Sequence, residues 1–456
     1  MNIGQLEEMR RFFQLGSTHS YEFRITQLKR LKDALLSNEK ELFAALQADL
    51  RKSPEESWVT EIGMVIAEIN VAISRLKKWM KPRRVATNLL NLPSRSYILP
   101  EPLGVVLIIG PWNYPVQLLL NPLVGAIAAG NCSVLKPSEF TPAVNGVIRK
   151  IISEKFPPGY ISFVEGEGSA VIPPILKNFT FDHIFFTGSN TVGKEIYKMA
   201  AERLVPVTLE LGGKSPCIVE EDANIKVAAR RIAVTKFSNA GQMCVAPDFV
   251  LVHEKRKSEF LSELQKSLLA FFGEDALESY SYCRIINRRQ FDRLRAYGNS
   301  GKIVFGGRSD EKRLLMEPTV VTDVVASDAL MNEEIFGPIL PVISFTSREQ
   351  ALAIINRHPD PLSFYIYTSD SRTEKEWMKL VPAGGTCINN SSWHLTNHNL
   401  PFGGRGNSGT GHYHGKYSFE TFSHLRAVMK TPTWFDPNIK YPPFKGRLNL
   451  FKKVIR

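Results

Sequence analysis

The sequence predicts an α/β protein of two domains joined by a small β arm. Three observations carry that expectation. At 456 residues the chain exceeds the size at which a single hydrophobic core stops growing. From Gly104 onward, short apolar runs alternate with helix-like segments, the pattern of buried parallel strands and their crossover helices. The alternation comes in two series, one before and one after Cys244, and each is long enough for its own domain.

The elements follow in order. Leu28, Leu31, Leu35, Leu42, Phe43, Leu46 and Leu50 recur mostly at helical spacing, and Ile62, Ile66, Ile69, Ile73, Leu76 and Met80 do so again, so the first eighty residues read as helical. Pro82, Pro93, Pro100 and Pro102 punctuate the next stretch, and residues 96 to 99 read as a short strand outside the alternation, a protruding arm. The first strand series is 105–109, 131–135, 161–164, 183–186 and 207–211. The second is 249–252, 302–305, 319–321, 339–345, 363–368 and 386–388. The expected division is 1–81 with 104–209, then 210–415, with 82–103 and 416–456 as arm and tail.

Composition narrows the function classes. A hydrophobic content of 43% beside a charged content of 22% argues against long disorder. The net charge of +12 is spread over most of the chain, as on a solvated surface, and does not imply nucleic acid. The exception is the tail, where eight Lys/Arg face one acidic residue, Asp436, from Arg426 to Arg456. Basic residues interleaved with Phe and Leu can touch an anionic membrane, but so short a segment gives only marginal affinity, and a solvated or subunit-packing tail is the preferred reading. Five scattered cysteines, Cys132, Cys217, Cys244, Cys283 and Cys387, form no CxxC pair and suit neither a disulfide framework nor a zinc site. The N-terminus lacks a basic segment followed by an apolar one, and the apolar run 116–129 is broken by Gln117, Asn121 and Pro122 and is too short to span a bilayer. The expectation is a cytoplasmic protein.

Four residues stand out chemically. Cys244 ends a run of small and polar residues, 237–244; a free cysteine is ordinarily a small buried hydrophobe, but a reactive thiol needs such a special setting. Glu210 lies in the apolar run 207–211, where period-two alternation puts it on the face opposite Val207, Leu209 and Leu211. A salt-bridged structural carboxylate and a desolvated general base both fit that position. Glu334 stands beside Phe336 and a Gly-Pro turn. Asn113 follows the strand 105–109 at its carboxyl end, where α/β proteins hold ligands and where a side-chain amide can donate to an oxyanion.

These segments together resemble the NAD(P)-dependent aldehyde dehydrogenase superfamily. The resemblance runs through PWNYP (111–115), LKPSE (135–139), FTGS (186–189), LELGGKSP (209–216), FSNAGQMCVAP (237–247), EEIFGPILPV (333–342) and LPFGGRGNSGTG (400–411). The stretch GNSGTGHYHGKYSFETFSH (406–424) is similar to the class 3 branch. The resemblance implies an atypical Rossmann-like cofactor domain, a catalytic domain and a bridging arm that makes a homodimer. It also implies a mechanism: Cys244 attacks an aldehyde carbonyl, Asn113 and the Cys244 N–H hold the oxyanion, hydride leaves to a nicotinamide, and water activated by Glu210, with Glu334 as second base, releases the carboxylate.

For the cofactor, residues 188–193 read GSNTVG, which is not the dinucleotide fingerprint. The resemblance implies that Lys136 and Glu139 flank the adenosine ribose, that Gly188, Ser189 and Gly193 form the diphosphate turn, and that Glu334 and Phe336 hold the nicotinamide ribose. Asn190 departs from the family's usual threonine. A carboxylate such as Glu139 accepts from a ribose 2′-OH and repels a 2′-phosphate, which favours NAD, although class 3 relatives use NADP as well.

Tyr114, Trp393 and His412 are placed along an aldehyde tunnel by their proximity to the motifs. His394 and His398 have the i, i+4 spacing of metal ligands, but no third ligand follows at zinc-like spacing, and no metal is expected. Three other readings compete: a coenzyme A-acylating or phosphate-accepting relative, a cysteine hydrolase using Cys244 with His183 or His253, and a non-catalytic scaffold. Glu210 argues against the first, and intact Cys244, Glu210 and Asn113 argue against the last.

Overall fold

The computed structural model describes residues 3–325 and 327–455. Met1, Asn2, Ala326 and Arg456, which belong to the expected domains and tail, lie outside them. The helical start is Ile3–Gln14, Tyr21–Ser37, Glu39–Leu50 and Gly63–Trp79, with a one-turn helix Pro54–Ser57 and a π-helical turn Trp58–Ile62 between the last two. The periodic leucines and isoleucines face inward: Leu28, Leu31, Leu35, Leu42, Leu46, Leu50, Ile62, Ile66, Ile69 and Leu76 are buried, each stabilising the fold by roughly 1.5–3 kcal/mol. They join one core with the first sheet.

That sheet has six strands in the order Gly409–Thr410, Val207–Leu211, His183–Gly188, Val105–Ile109, Cys132–Lys136 and Ile161–Phe163. All pairs are parallel except the first, in which Gly409 lies opposite Glu210. The strand Val207–Leu211 spans the expected division between 209 and 210 and stays whole in this sheet. The second sheet runs Lys302–Phe305, Thr319–Thr322, Ile339–Phe345, Phe249–His253, Pro216–Val219, Ser363–Tyr367 and Gly385–Ile388. Its strands alternate between two cores: Ile218 and Leu251 face one, Cys217, Val219, Val250 and Val252 the other.

Two sequence expectations need correction here. Lys302–Phe305 is not a buried parallel strand; it pairs antiparallel with Thr319–Thr322 at the sheet edge and is largely exposed, because an edge strand has one neighbour and little to cover it. Pro216–Val219 is a central strand that the pattern did not reveal: it is four residues long, fully buried, and opens with a proline, which a strand tolerates only at such a position. The arm is a three-stranded sheet of Arg83–Val85, Arg95–Pro102 and Ser423–Lys430, with Ile98 opposite Ala427. The helix Lys416–Thr421 packs on Gln117–Ala129, where a Cβ on Gly125 would lie 2.6 Å from Ser418 Cβ, and Phe419 and Phe422 join the first core.

Candidate active site

Parallel register brings the chemistry to one edge. Ile109 stands beside Lys136, where both strands end, and Gly188 stands beside Leu211, where the other two end, two residues beyond Phe186, the partner of Ile109. The residues that follow them, Asn113, Glu139, Ser189 and Gly212, therefore emerge along the carboxyl edge of the sheet, where doubly wound proteins bind ligands.

The Cys244 loop leaves the helix Ile225–Phe237 through three successive left-handed residues, Asn239 (φ 49°), Ala240 (φ 50°) and Gly241 (φ 73°). Such a conformation costs about 1–2 kcal/mol for each non-glycine residue. Tertiary hydrogen bonds hold it. The Asn239 N–H donates to Glu56 Oε1 (2.8 Å), and Asn239 Nδ2 donates to the carbonyls of Asn113 (2.9 Å) and Gln242 (3.0 Å). Buried Gln242 donates through Nε2 to Asn239 O and Arg284 O and accepts from Ile286 N at Oε1. A Cβ on Gly241 would stand 2.2 Å from Gly337 O, so only glycine lets this loop rest on the turn that carries Glu334.

Asn113 is buried, and its Nδ2 donates to Gln242 O (3.1 Å). That bond aims the amide toward the Cys244 loop and leaves its second hydrogen free for another acceptor. Tyr114 is also buried, which raises its hydroxyl well above the usual range, and Cys244 is near enough to add to that shift.

Cys244 is half-buried. Burial pushes its thiol up to about 12, and the charges of Glu334 and Glu210 push in the same direction. Both carboxyls thus lie within electrostatic reach of the sulfur. Glu210 is buried, neither of its oxygens has a hydrogen-bond partner, and desolvation raises it well above the usual carboxylate range. Glu334 reaches onto the backbone of the Gly-Gly pair: a Cβ on Gly212 would fall 1.9 Å from Glu334 Oε2. Its carboxyl is raised to about 8, first by burial and then by Asp248, against a hydrogen bond from the Gly213 backbone.

A buried ion pair supports the Glu334 turn. Lys214 Nζ meets Asp248 and also donates to Leu330 O (3.0 Å) and Glu333 O (2.8 Å), while Asp248 Oδ1 accepts from Ile335 N (2.9 Å). Phe336 has φ 48° and packs edge-on against Trp112 at 5.3 Å. Lys236 is buried beside this pair with no partner on Nζ, and burial lowers it to about 8.

The cofactor residues form a second cluster. Lys136 ends its strand and donates to Pro137 O (2.6 Å) and Glu139 Oε2 (3.3 Å). Ser189 caps the helix Asn190–Ala201, its Oγ accepting from Val192 N. A Cβ on Gly193 would lie 2.5 Å from Leu211 Cδ2, so glycine sets the close approach of that helix to the Glu210 strand. Asn190 Nδ2 donates to Asn407 O (2.6 Å), which ties the helix start to the loop 400–411. An ammonium, a carboxylate and the N-terminus of a twelve-residue helix along one edge are the donor set that a ribose and a diphosphate require.

The residues expected along the tunnel lie in different settings. Trp393 is 61% exposed on the turn Trp393–Thr396, and the His412 ring packs against Tyr417 at 5.2 Å. The tyrosines within electrostatic reach of Cys244 are Tyr114, Tyr413 and Tyr365. Tyr413 couples to Glu210 as well, and the Tyr365 hydroxyl donates to Val245 O. Sequence reasoning passed over Tyr365 and Tyr413, Gln242, and the Lys214–Asp248 pair; the only signal for Tyr413 was its place next to His412.

His394 and His398 face different partners, Cys387 Sγ (3.2 Å) with Ser363 Oγ (3.4 Å), and Glu68 (2.6 Å) respectively. His183 Nε2 bonds Thr208 Oγ1 (3.1 Å), and burial lowers the ring to about 4. His253 faces Glu221 (3.7 Å). Both imidazoles thus have partners other than Cys244.

Comparison with known proteins agrees with this geometry. The profile of the aldehyde dehydrogenase family matches residues 6–428. The 4,4'-diaponeurosporen-aldehyde dehydrogenase of Staphylococcus aureus is 46% identical over 447 residues, covering 98% of this chain and 97% of its own. Aldehyde dehydrogenase family 3 member B1 of Homo sapiens is 43% identical, covering 97% and 94%. The solved substrate-bound state of Staphylococcus aureus AldH matches with a TM-score of 0.97 and 45% identity over 100% of both chains. With these similarities resting on the geometry above, the chain belongs to the aldehyde dehydrogenase family, in its class 3-like branch, and is an oxidoreductase acting on aldehydes.

Proposed function

We propose that this protein oxidises an apolar aliphatic or aromatic aldehyde to its carboxylate by covalent catalysis on Cys244, with NAD as the preferred nucleotide and NADP as the second. The observation that carries the reading is a thiol within electrostatic reach of two carboxyls, one of which, Glu210, is buried with no partner on either oxygen. A thiol held up to about 12 is protonated at neutral pH, so attack requires a base. The raised carboxyls are stronger bases than ordinary ones once ionised; Glu334, raised to about 8, keeps its proton over much of the neutral range and takes the thiol's proton in its ionised fraction, from its place on the Gly212–Gly213 backbone.

Cys244 then bonds the carbonyl carbon, and the free hydrogen of the Asn113 amide, with the Cys244 N–H, stabilises the oxyanion of the thiohemiacetal. When bound, the nicotinamide supplies the hydride acceptor. Glu210 removes a proton from the water that attacks the thioester; the carboxylate leaves and the thiol is restored. The desolvated Glu210 supports hydrolysis over transfer to coenzyme A or phosphate. Lys136 and Glu139 would hold the adenosine ribose, Ser189 and the Gly188 and Gly193 turn the diphosphate, and Glu334 and Phe336 the nicotinamide ribose. Glu139 supports NAD through the repulsion of a 2′-phosphate.

The working division is a cofactor domain of 1–81 and 104–209, a catalytic domain of 210–415, and arm and tail. Exposed Val85, Leu425 and Met429 on the arm support a homodimer, which sedimentation would detect. The five thiols are free, which suits the reducing cytoplasm. The basic tail is read as solvated or subunit-packing; no helix among the described residues is long and apolar enough to cross a membrane. The test is a turnover screen of aliphatic and aromatic aldehydes with NAD and with NADP, repeated on Cys244→Ser and with coenzyme A or phosphate added. The serine variant should form no NADH; equal rates in wild type and variant would remove Cys244 from the mechanism, and an acyl-coenzyme A or acyl-phosphate product would replace hydrolysis.

A further inference from the structure

A second buried ion pair lies behind Asn113, on the helical N-terminal segment, and the mechanism above does not use it. Lys52 follows the left-handed Arg51 that ends the helix Glu39–Leu50, and its side chain is fully buried. Its Nζ contacts Glu61 Oε1 at 2.6 Å, donates to the Asn113 carbonyl at 3.0 Å and stands 4.0 Å from the Tyr114 ring centroid. Glu61, equally buried, sits on the π-helical turn Trp58–Ile62. Its Oε2 accepts from the N–H groups of Val116 (2.9 Å) and Gln117 (3.1 Å). The pair therefore grips the segment 113–117 at both ends, by the carbonyl of Asn113 and by two N–H groups beyond Pro115.

Two desolvated charges are a costly way to brace a loop; an apolar pair of the same volume is often at least as stable. What charges add is direction, because each atom of the pair is committed to a named backbone group. The Asn113 carbonyl receives Lys52 Nζ on one side and Asn239 Nδ2 (2.9 Å) on the other, and Asn239 belongs to the loop that carries Cys244. The peptide that bears the Asn113 amide is thus held between the N-terminal segment and the nucleophile loop.

We infer that Lys52 and Glu61 are positioning residues that aim the Asn113 amide at the oxyanion formed on Cys244. The inference rests on the oxyanion role of Asn113 proposed above. A pair that acts through Asn113 has no effect once Asn113 is gone, which a merely structural pair does not satisfy.

The experiment is a cycle of Lys52→Met/Glu61→Gln, which removes both charges together, with Asn113→Ala. Each variant is read by the single-turnover rate of NADH formation from hexanal with NAD bound. NAD affinity and the rate of Cys244 alkylation by iodoacetamide report on the rest of the site. The pair variant should slow the single turnover about 10²-fold, the order expected for a misplacement near 1 Å. NAD affinity and alkylation should be unchanged, and the Asn113→Ala background should show no further loss. An equal loss in that background overturns the inference, as does a folded pair variant that turns over at the wild-type rate. If Asn113→Ala alone leaves the rate intact, the oxyanion role falls and the positioning role with it. Should the pair variant fail to fold, Glu61→Gln alone is read on the same cycle with the same outcomes.

Discussion

Replacing Glu334 with glutamine keeps the shape of the Gly212–Gly213 contact and removes one titration from the site. In the folded protein this carboxyl is raised from 4.5 to about 8. Between those values the unfolded chain has lost the proton and the folded chain still holds it, so stability falls as pH rises through that window. About three and a half pH units at ~1.4 kcal/mol each come to a ceiling of about 5 kcal/mol by pH 9. The stability that Glu334 provides relative to high pH is fully present below pH 4.5 and gone above pH 8. Glu334→Gln has no such loss. Urea unfolding of wild type and variant without nucleotide, at steps from pH 5 to pH 9, should show the variant's advantage growing across the window and levelling above it. The same substitution takes away the first charge that, after burial, holds Cys244 up, so the alkylation profile of Cys244 should move to lower pH. A stability difference that stays flat from pH 5 to pH 9 would refute the reasoning.

Other substitutions test other contacts. Glu210→Gln should give a burst of NADH equal to the enzyme concentration and then stall, with a loss of about 10²–10⁴ in deacylation and an acyl group on Cys244 by mass spectrometry; steady turnover without a burst would count against Glu210. Gly193→Ala puts a Cβ 2.5 Å from Leu211 Cδ2 and should cost about 1–3 kcal/mol, measured by thermal unfolding together with a higher KM for NAD. Lys214→Met strands Asp248 in a site where both side chains are almost wholly buried, with a loss of about 3–5 kcal/mol. Lys214→Met/Asp248→Asn should recover most of that in the same melting assay.

What the sequence made legible is what local pattern controls. The helices 21–50 and the strand 105–109 announced themselves by periodicity, and Asn113 by following a strand. Cys244 and Glu210 were visible because a polar group in an apolar run, or a thiol among small residues, is locally anomalous. Pro216–Val219 escaped because four residues carry too little period. The antiparallel edge at Lys302 escaped because pairing direction is set by the chain's return path. Lys52, Glu61, Lys214 and Asp248 looked like ordinary charges; only the tertiary fold buries them, so no local signal marks them. His412 and Tyr413 are adjacent in sequence, and an irregular loop without a repeating period gives no rule for which of two neighbours turns inward.

The strand pair Gly409–Thr410 with Val207–Leu211 has a bearing on the order in which the chain is made. Glu210 and Cys244 are made near the middle of the chain, but the backbone that pairs with Glu210 arrives about two hundred residues later, at position 409 of 456. Until then the strand carrying the buried carboxylate is an open edge, with unpaired N–H and C=O groups beside it. Synthesis therefore leaves the Glu210 strand unpaired on that side until nearly the whole polypeptide exists. That edge of the sheet closes last, although Glu210 is made before Cys244.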